Sequence, residues 1–126
     1  MRRRIGELRN NMPALYATTR ETGPITIIDL SGRIALGEGS ALLRKTIRDL
    51  AESGQIKILL NLGDVNYIDS SGIGELVSGF TAIRSRGGEL KLLHLTKKVH
   101  DLLQITKLFT VFDVYDEEAT AVQSFR

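Results

Sequence analysis

The sequence predicts an α/β fold in which a mostly parallel central sheet of four to five strands packs against about four helices. Two observations carry this prediction. Short apolar runs typical of strands alternate along the chain with segments whose apolar residues recur at helical spacing. In addition, residues 57–62 are apolar on both faces, as expected of a strand buried inside a parallel sheet.

The predicted elements follow the order β-β-α-β-α-β-α-β-α. The first strand is a short segment at residues 15–19, and the second, at residues 25–30, ends at Ser31-Gly32. Ser40 is a suitable cap for the first helix, which ends at Gly54. The later elements are a strand at residues 57–62, a helix from Ser70 to about Arg86, a strand at 89–95, a helix at 97–105, a strand at 111–115 and a weak helix at 117–125.

Length and composition restrict the class of protein. The 126 residues suffice for one domain with its own core, and 42% of them are hydrophobic. The absence of cysteine excludes disulfides and cysteine-based metal sites. No apolar run approaches the roughly 18 residues that span a bilayer. No apolar signal-peptide core follows the basic N-terminus, so we expect a cytoplasmic protein without membrane insertion.

The positive charge is concentrated at the N-terminus. Residues 1–11 hold four arginines and one glutamate, so they contribute +3 to a net charge of +2 and leave the remainder at −1. We therefore predict a flexible basic arm at residues 1–14 and one domain at residues 15–126. Met12 is a plausible alternative start. A nearly neutral domain does not suggest direct binding of nucleic acid.

The most informative segment is the junction at Asp69-Ser70-Ser71-Gly72-Ile73-Gly74. It lies between the apolar strand at residues 57–62 and a helix whose apolar residues begin at Ile73. Ligands and chemistry collect at such strand-to-helix junctions in open α/β sheets. From the pattern alone, the Ser70 hydroxyl either caps the helix or carries a phosphate. Asp69 either orients the loop through its backbone or helps to present Ser70.

The sequence lacks the motifs of common catalytic and cofactor sites. A nucleophile elbow needs Gly-x-Ser-x-Gly, whereas the frame here is Ile68-Asp69-Ser70-Ser71-Gly72. His94 and His100 show no sign of completing a triad, and their spacing suits no metal site. Position 77 lacks the third glycine of a dinucleotide-binding loop. We therefore predict no catalytic residues, no metal and no cofactor.

The junction resembles the signature of the STAS domain, the sulfate-transporter and anti-sigma-factor-antagonist family. The resemblance covers roughly residues 25–125, and its further segments lie at residues 28–34, 58–64, 87–90 and 99–103. In stand-alone members, the unphosphorylated protein binds an anti-sigma factor and releases a sigma factor. The partner is also a serine kinase, here expected to be of GHKL type, and a phosphatase, here expected to be of PP2C type, reverses its action.

By position, the resemblance implies that Ser70 is the phosphorylated residue. It implies a partner-binding switch loop comprising Asp69, Ser71, Gly72, Gly74, Gly32 and Arg33, extending towards the helix near Lys97. The absence of side chains at Gly72 and Gly74 either lets a kinase active site reach Ser70 or permits close packing of this helix start against the sheet. We expect the phosphate to meet free backbone N–H groups at the helix start, and the protein to be a monomer or weak dimer.

The chain departs from the family pattern at one position, and the sequence also allows one alternative function. Many antagonists have an acidic residue shortly after the early glycine turn, where this chain has Ala35. The alternative function is a subunit or scaffold of a lipid or anion transport assembly, or of a stress-signalling complex, without a phosphoswitch.

Overall fold

The computed structural model describes residues 14–126, so all but one residue of the predicted N-terminal arm lie outside the described residues. In this part of the chain, five strands form one sheet in the order β1-β2-β3-β4-β5. β1 pairs with β2 antiparallel, and the three other pairings are parallel. The strands are β1 (Leu15–Thr22), β2 (Ile25–Ile34), β3 (Lys57–Ile68), β4 (Glu89–Leu93) and β5 (Val114–Tyr115).

Within the described residues, three helices and one short 3-10 turn lie between strands, and a fourth helix follows β5. The helices are α1 (Glu38–Glu52), α2 (Ser70–Ser85), α3 (Lys97–Ile105) and α4 (Glu118–Gln123), and the 3-10 turn is Phe109–Val111. The predicted α/β class, element order and mostly parallel sheet are thereby confirmed. Within residues 14–126, no helix combines the length and apolar character needed to cross a bilayer.

The two faces of the sheet are covered unequally. The larger apolar cluster contains residues of α1, α2 and α3, such as Leu43, Leu76 and Leu103. The smaller cluster joins Ile27 and Leu59 to Ala121 of α4. Successive strand residues point to opposite faces of the sheet, and the two clusters therefore lie on different faces. Three helices cover one face, and the C-terminal helix covers the other.

Polar contacts hold α4 on its face of the sheet. Arg20 of β1 bonds through its guanidinium to Asp29 at 2.6 Å and to Glu118 of α4 at 2.6 Å. Lys91 of β4 is buried, and its Nζ donates to the carbonyl oxygen of Ser124 at 3.0 Å and to the Ser124 hydroxyl at 2.9 Å. These contacts supplement a small apolar interface.

The structure corrects the ends of both central strands. β2 continues past Ser31-Gly32 to Ile34, and β3 continues past Leu62 to Ile68. Beyond Asn61, β3 pairs only with β2, through two register shifts that carry the ladder to Ile34 and Ile68. Partial exposure and irregular pairing disrupt the apolar pattern from which the ends were predicted.

Other predicted boundaries also change. Ser40 does not cap α1; the helix begins at Glu38 after Gly37, and Ser40 lies buried within its first turn. The last strand is restricted to Val114–Tyr115, because residues 109–111 form the 3-10 turn. β1 is longer than predicted, since its pairing with β2 extends to Thr22.

Candidate functional site

The end of β3 places Asp69 and Ser70 beside the end of β2. Ile68 is the register partner of Ile34, and the backbone N–H of Asp69 donates to the carbonyl oxygen of Ile34 at 3.4 Å. α2 starts at the next residue, Ser70. The strand therefore ends directly at the helix, with no intervening loop, and the parallel ladder determines where Ser70 emerges.

Asp69 is the N-cap of α2 and also holds the neighbouring loop. One carboxylate oxygen accepts from the backbone N–H of Gly72 at 3.0 Å, and the other accepts from the N–H of Leu36 at 3.0 Å. These two hydrogen bonds, first Leu36 and then Gly72, lower the pKa of Asp69 below its ordinary value. The carboxylate therefore stays ionised at neutral pH beside Ser70.

Ser70 is the first residue of α2 and is exposed. Because Asp69 supplies the cap, the structure does not use the Ser70 hydroxyl for that purpose. Of the two roles that the sequence allows for Ser70, the cap is therefore supplied by Asp69, and the phosphorylation of Ser70 stays a prediction. A hydroxyl at this position is sterically accessible to a partner protein.

Ser71 has a structural environment that Ser70 lacks. Its hydroxyl lies 2.7 Å from the hydroxyl of Ser40, which is buried in the first turn of α1. Ser40 in turn donates to the carbonyl oxygen of Ala35 at 2.9 Å. The pair joins the first turns of α1 and α2, and an internal hydrogen bond of this kind contributes about 1 kcal/mol.

The two glycines of the motif have different surroundings. Gly72 is buried, and a Cβ there would overlap the carbonyl oxygen of Ile34 and lie 2.7 Å from Cγ1 of Ile68. Gly74 is exposed, and a Cβ there would meet no atom within 4 Å. Close packing therefore explains Gly72, whereas Gly74 is unconstrained by packing and shares a helix face with Ser70 four residues earlier.

Gly32 and Arg33 lie at the end of β2. Gly32 has a φ of 112°, and a Cβ there would overlap the carbonyl oxygen of Ala14. The backbone N–H of Arg33 donates to that same oxygen at 2.8 Å. The backbone here thus contacts Ala14 and pairs with Leu15 at the start of β1. The Arg33 side chain is exposed, and its register partner on β3 is Tyr67.

Several residues of this surface were absent from the sequence-based site. Leu36 follows the end of β2 and is 82% exposed, which is unusual for a leucine. Arg44 of α1 forms a 2.6 Å ion pair with Glu75 of α2, which links the two helices. The sequence indicates neither feature. The ion pair joins residues more than 30 positions apart, and Leu36 lies in the loop after β2, where no periodicity predicts its exposure.

Two further apolar side chains near the end of β3 and on α3 are exposed. Tyr67 is 41% exposed and Ile105 is 76% exposed. Nζ of Lys98 lies 5.8 Å from the centre of the Tyr67 ring. The end of β3 and α3 therefore present apolar and basic groups to solvent.

The histidines belong to other environments. His94 has a φ of 57° and is exposed. The His100 ring packs edge-on against Phe109, with centroids 4.8 Å apart. Within residues 14–126, no group of three or more histidine, aspartate or glutamate side chains is arranged to hold a metal ion.

Comparison with known proteins gives consistent similarities. The model of the STAS domain family matches residues 16–121. The anti-sigma-B factor antagonist of Bacillus subtilis (strain 168) is 32% identical over 96 residues, which cover 76% of this chain and 86% of that protein.

Solved structures share the fold. A crystal structure of a Thermotoga maritima protein matches with a TM-score of 0.81 at 28% identity, covering 87% of this chain and 94% of the other. The Bacillus cell fate determinant SpoIIAA in its phosphorylated form matches with a TM-score of 0.69, covering 86% of this chain and 97% of that one. At 19% identity, this second likeness concerns the fold alone.

Proposed function

The chain belongs to the STAS domain family, and we propose that it is an anti-sigma-factor antagonist switched by phosphorylation of Ser70. In its unphosphorylated form it binds an anti-sigma factor that is also a serine kinase of GHKL type, and thereby frees a sigma factor. A PP2C-type phosphatase restores this form. The protein acts by binding and not by catalysis, in the cytoplasm, as a monomer or weak dimer.

The observation that carries the proposal is the exposed Ser70 hydroxyl beside a helix cap formed by another residue. Asp69 occupies the capping role, so modification of Ser70 removes no contact that holds α2. Ser71, by contrast, bonds to buried Ser40. This difference supports Ser70, rather than Ser71, as the phosphorylated residue.

The chemical step is a phosphoryl transfer. The Ser70 oxygen attacks the γ-phosphorus of ATP, the serine proton is lost, and ADP leaves. The product carries about −1.5 to −2 charge beside the carboxylate of Asp69. In the phosphatase step, water cleaves the phosphate ester and releases inorganic phosphate.

The phosphate weakens partner binding through charge. The backbone N–H of Gly72 is already bonded to Asp69, so the expected contact of the phosphate with this donor is not available. The phosphate therefore adds its charge to that of Asp69 at the surface. A repulsion of about 1.4 kcal/mol against an acidic partner surface lowers affinity tenfold.

The switch requires no refolding. Asp69 keeps its bonds to Leu36 and Gly72 whether or not Ser70 is modified, because those atoms take no part in the phosphate ester. The binding surface thus keeps its shape and changes its charge. The phosphorylated form of SpoIIAA, which has the same fold, is consistent with such a modification.

The test is incubation of the full chain with ATP and each purified GHKL-type kinase of the source organism, followed by intact-mass and fragmentation mass spectrometry. We expect one phosphate on Ser70, its loss in Ser70→Ala, and its retention in the matched variant Ser71→Ala. Ser70→Ala should bind the kinase constitutively, and Ser70→Asp should bind weakly.

Two results would contradict the proposal. One is the absence of phosphate with every kinase, which would favour the transport-subunit or scaffold role. The other is equal kinase binding by Ser70→Ala, Ser70→Asp and the unmodified wild type.

A further inference from the structure

A groove lies beside the candidate switch, between the end of β3 and α3. We call it the α3 groove and define it by Tyr67, Lys97, Lys98, Leu102 and Ile105; its volume is about 510 Å³. Ile68 also lines it and directly precedes Asp69. The groove is thus continuous along the chain with the surface that presents Ser70.

The apolar part of the α3 groove is unusually open to solvent. Ile105 is 76% exposed at the last residue of α3, and Tyr67 is 41% exposed on β3. Leu102 is half-buried between them in the lining. Isoleucine and tyrosine side chains exposed around one surface depression mark an interaction site more often than isolated exposed apolar residues do.

The charged part of the groove is mainly basic. Lys97 pairs with Asp101 at 2.7 Å within α3. Lys98 is exposed and lies over the Tyr67 ring, without a carboxylate partner within 4 Å among the described residues. Two lysines against one aspartate leave a positive rim, which favours a ligand with carboxylates.

We propose that the α3 groove binds an acidic, amphipathic segment of the partner protein, whose apolar side chains contact Tyr67 and Ile105 and whose carboxylate pairs with Lys98. This inference rests on the proposed function and adds the chemistry of the partner. An anionic lipid surface fits less well, because recognition of lipid headgroups takes a cluster of about four to eight basic side chains, whereas the groove offers two lysines, of which Lys97 is paired with Asp101.

The placement of the groove connects it to the switch. Ile68 lines the groove and lies two residues before Ser70, so their Cα atoms are at most about 7 Å apart and a phosphate on Ser70 acts on the groove from within about one Debye length. That charge repels an acidic segment and competes with it for the lysines. Phosphorylation therefore weakens the groove contact as well as any contact at Ser70 itself.

The test uses the photocrosslinking amino acid p-benzoylphenylalanine, introduced into the full chain at one of three exposed positions and irradiated in cells of the source organism. Ile105 reports the groove, Leu36 reports the loop held by Asp69, and Glu52 at the far end of α1 is the control. Crosslinked segments are identified by mass spectrometry. We expect Ile105 and Leu36, but not Glu52, to crosslink the same partner.

The groove proposal further requires that the segment crosslinked at Ile105 contain both apolar and acidic residues, and that Ser70→Asp remove the crosslink. With that partner purified, Lys98→Glu should weaken affinity about tenfold, whereas Arg48→Glu on α1 should leave it unchanged. Circular dichroism of each variant confirms that the fold is retained.

The remaining outcomes separate the two proposals. A partner crosslinked at Leu36 but not at Ile105 would overturn the groove and leave the switch intact. A second copy of this chain, a basic segment or lipid at Ile105 would also overturn it. Crosslinks at neither position, together with an unmodified Ser70, would overturn the proposed function and the groove with it.

Discussion

The carboxylate of Asp69 accepts the backbone N–H of Leu36 at 3.0 Å, and this hydrogen bond ties the start of α2 to the loop after β2. The same side chain caps α2 through Gly72. Two segments more than 30 residues apart in sequence are thus held by one ionised group. Ser70 directly follows this cap residue in the chain, and the backbone of Leu36 is hydrogen-bonded to the same residue.

The first prediction concerns the hydrogen bonds of Asp69. Asp69→Ala removes both bonds and should lower the free energy of unfolding by about 1 to 2 kcal/mol. Asp69→Asn should cost less, because its amide oxygen still accepts one N–H while its NH₂ group cannot accept the other. Urea unfolding of wild type and both variants measures this order. Equal losses for alanine and asparagine would contradict it.

The second prediction is the pH dependence of the same interaction. The pKa of Asp69 is lowered in the folded protein by the Leu36 and Gly72 N–H groups. Its contribution to stability is therefore present above the ordinary aspartate pKa of about 4 and is lost as pH falls through the lower folded value. The difference in unfolding free energy between wild type and Asp69→Asn should stay constant at neutral pH and shrink once the pH falls below the ordinary aspartate pKa of about 4 towards the lowered folded pKa. A difference that is constant with pH would refute this cause.

The third prediction contrasts the two glycines of the switch motif. Gly72→Ala should destabilise the protein by about 1 to 3 kcal/mol, because the added methyl group overlaps the backbone of Ile34. Gly74→Ala should stabilise it by about 0.5 to 1 kcal/mol, since the space is open and alanine favours helix. Thermal and urea unfolding of the two variants provide the comparison. The same sign for both would be inconsistent with the structure.

The fourth prediction concerns the coupling of Ser40 and Ser71. Ser71→Ala should lower the free energy of unfolding by about 1 kcal/mol, because the Ser40 hydroxyl loses one of its partners. The double variant with Ser40→Ala should lose less than the sum of the two single losses. A double-mutant cycle by urea unfolding measures this coupling, and strict additivity would show that the hydroxyl contact contributes nothing.

The fifth prediction concerns the attachment of α4. Arg20→Met removes the ion pairs to Asp29 and Glu118, and hydrogen exchange at residues 118–123 should then accelerate more than exchange in α2. The loss of global stability should stay below about 1 kcal/mol, because these groups are partly exposed. Lys45→Met, which removes the exposed Lys45–Asp49 pair of α1, is the matched control. Unchanged exchange in α4 would contradict this role for Arg20.

Local sequence patterns were sufficient to predict a strand or helix where the burial of its residues was regular. Residues 57–62 are apolar on both faces and the apolar residues of α2 recur at helical spacing, and the structure has a strand and a helix at these places, although β3 extends to Ile68. The ends of β2 and β3 could not be predicted, because pairing between Ser31–Ile34 and Asp64–Ile68 passes through register shifts that break alternation. Ser40 is not the cap of α1 that its residue type predicts, because a buried serine and a capping serine look alike in sequence.

The sequence by itself determined the α/β class, the order of elements and the resemblance of residues 69–74 to a family motif, because these depend on local spacing and residue identity. Only the tertiary structure decided that Asp69 is the cap, that Gly72 is packed while Gly74 is open, and that Leu36, Tyr67 and Ile105 are exposed. The physical reason is that capping, steric contact and exposure depend on residues brought together by the parallel pairing of β2 and β3, which are distant along the chain.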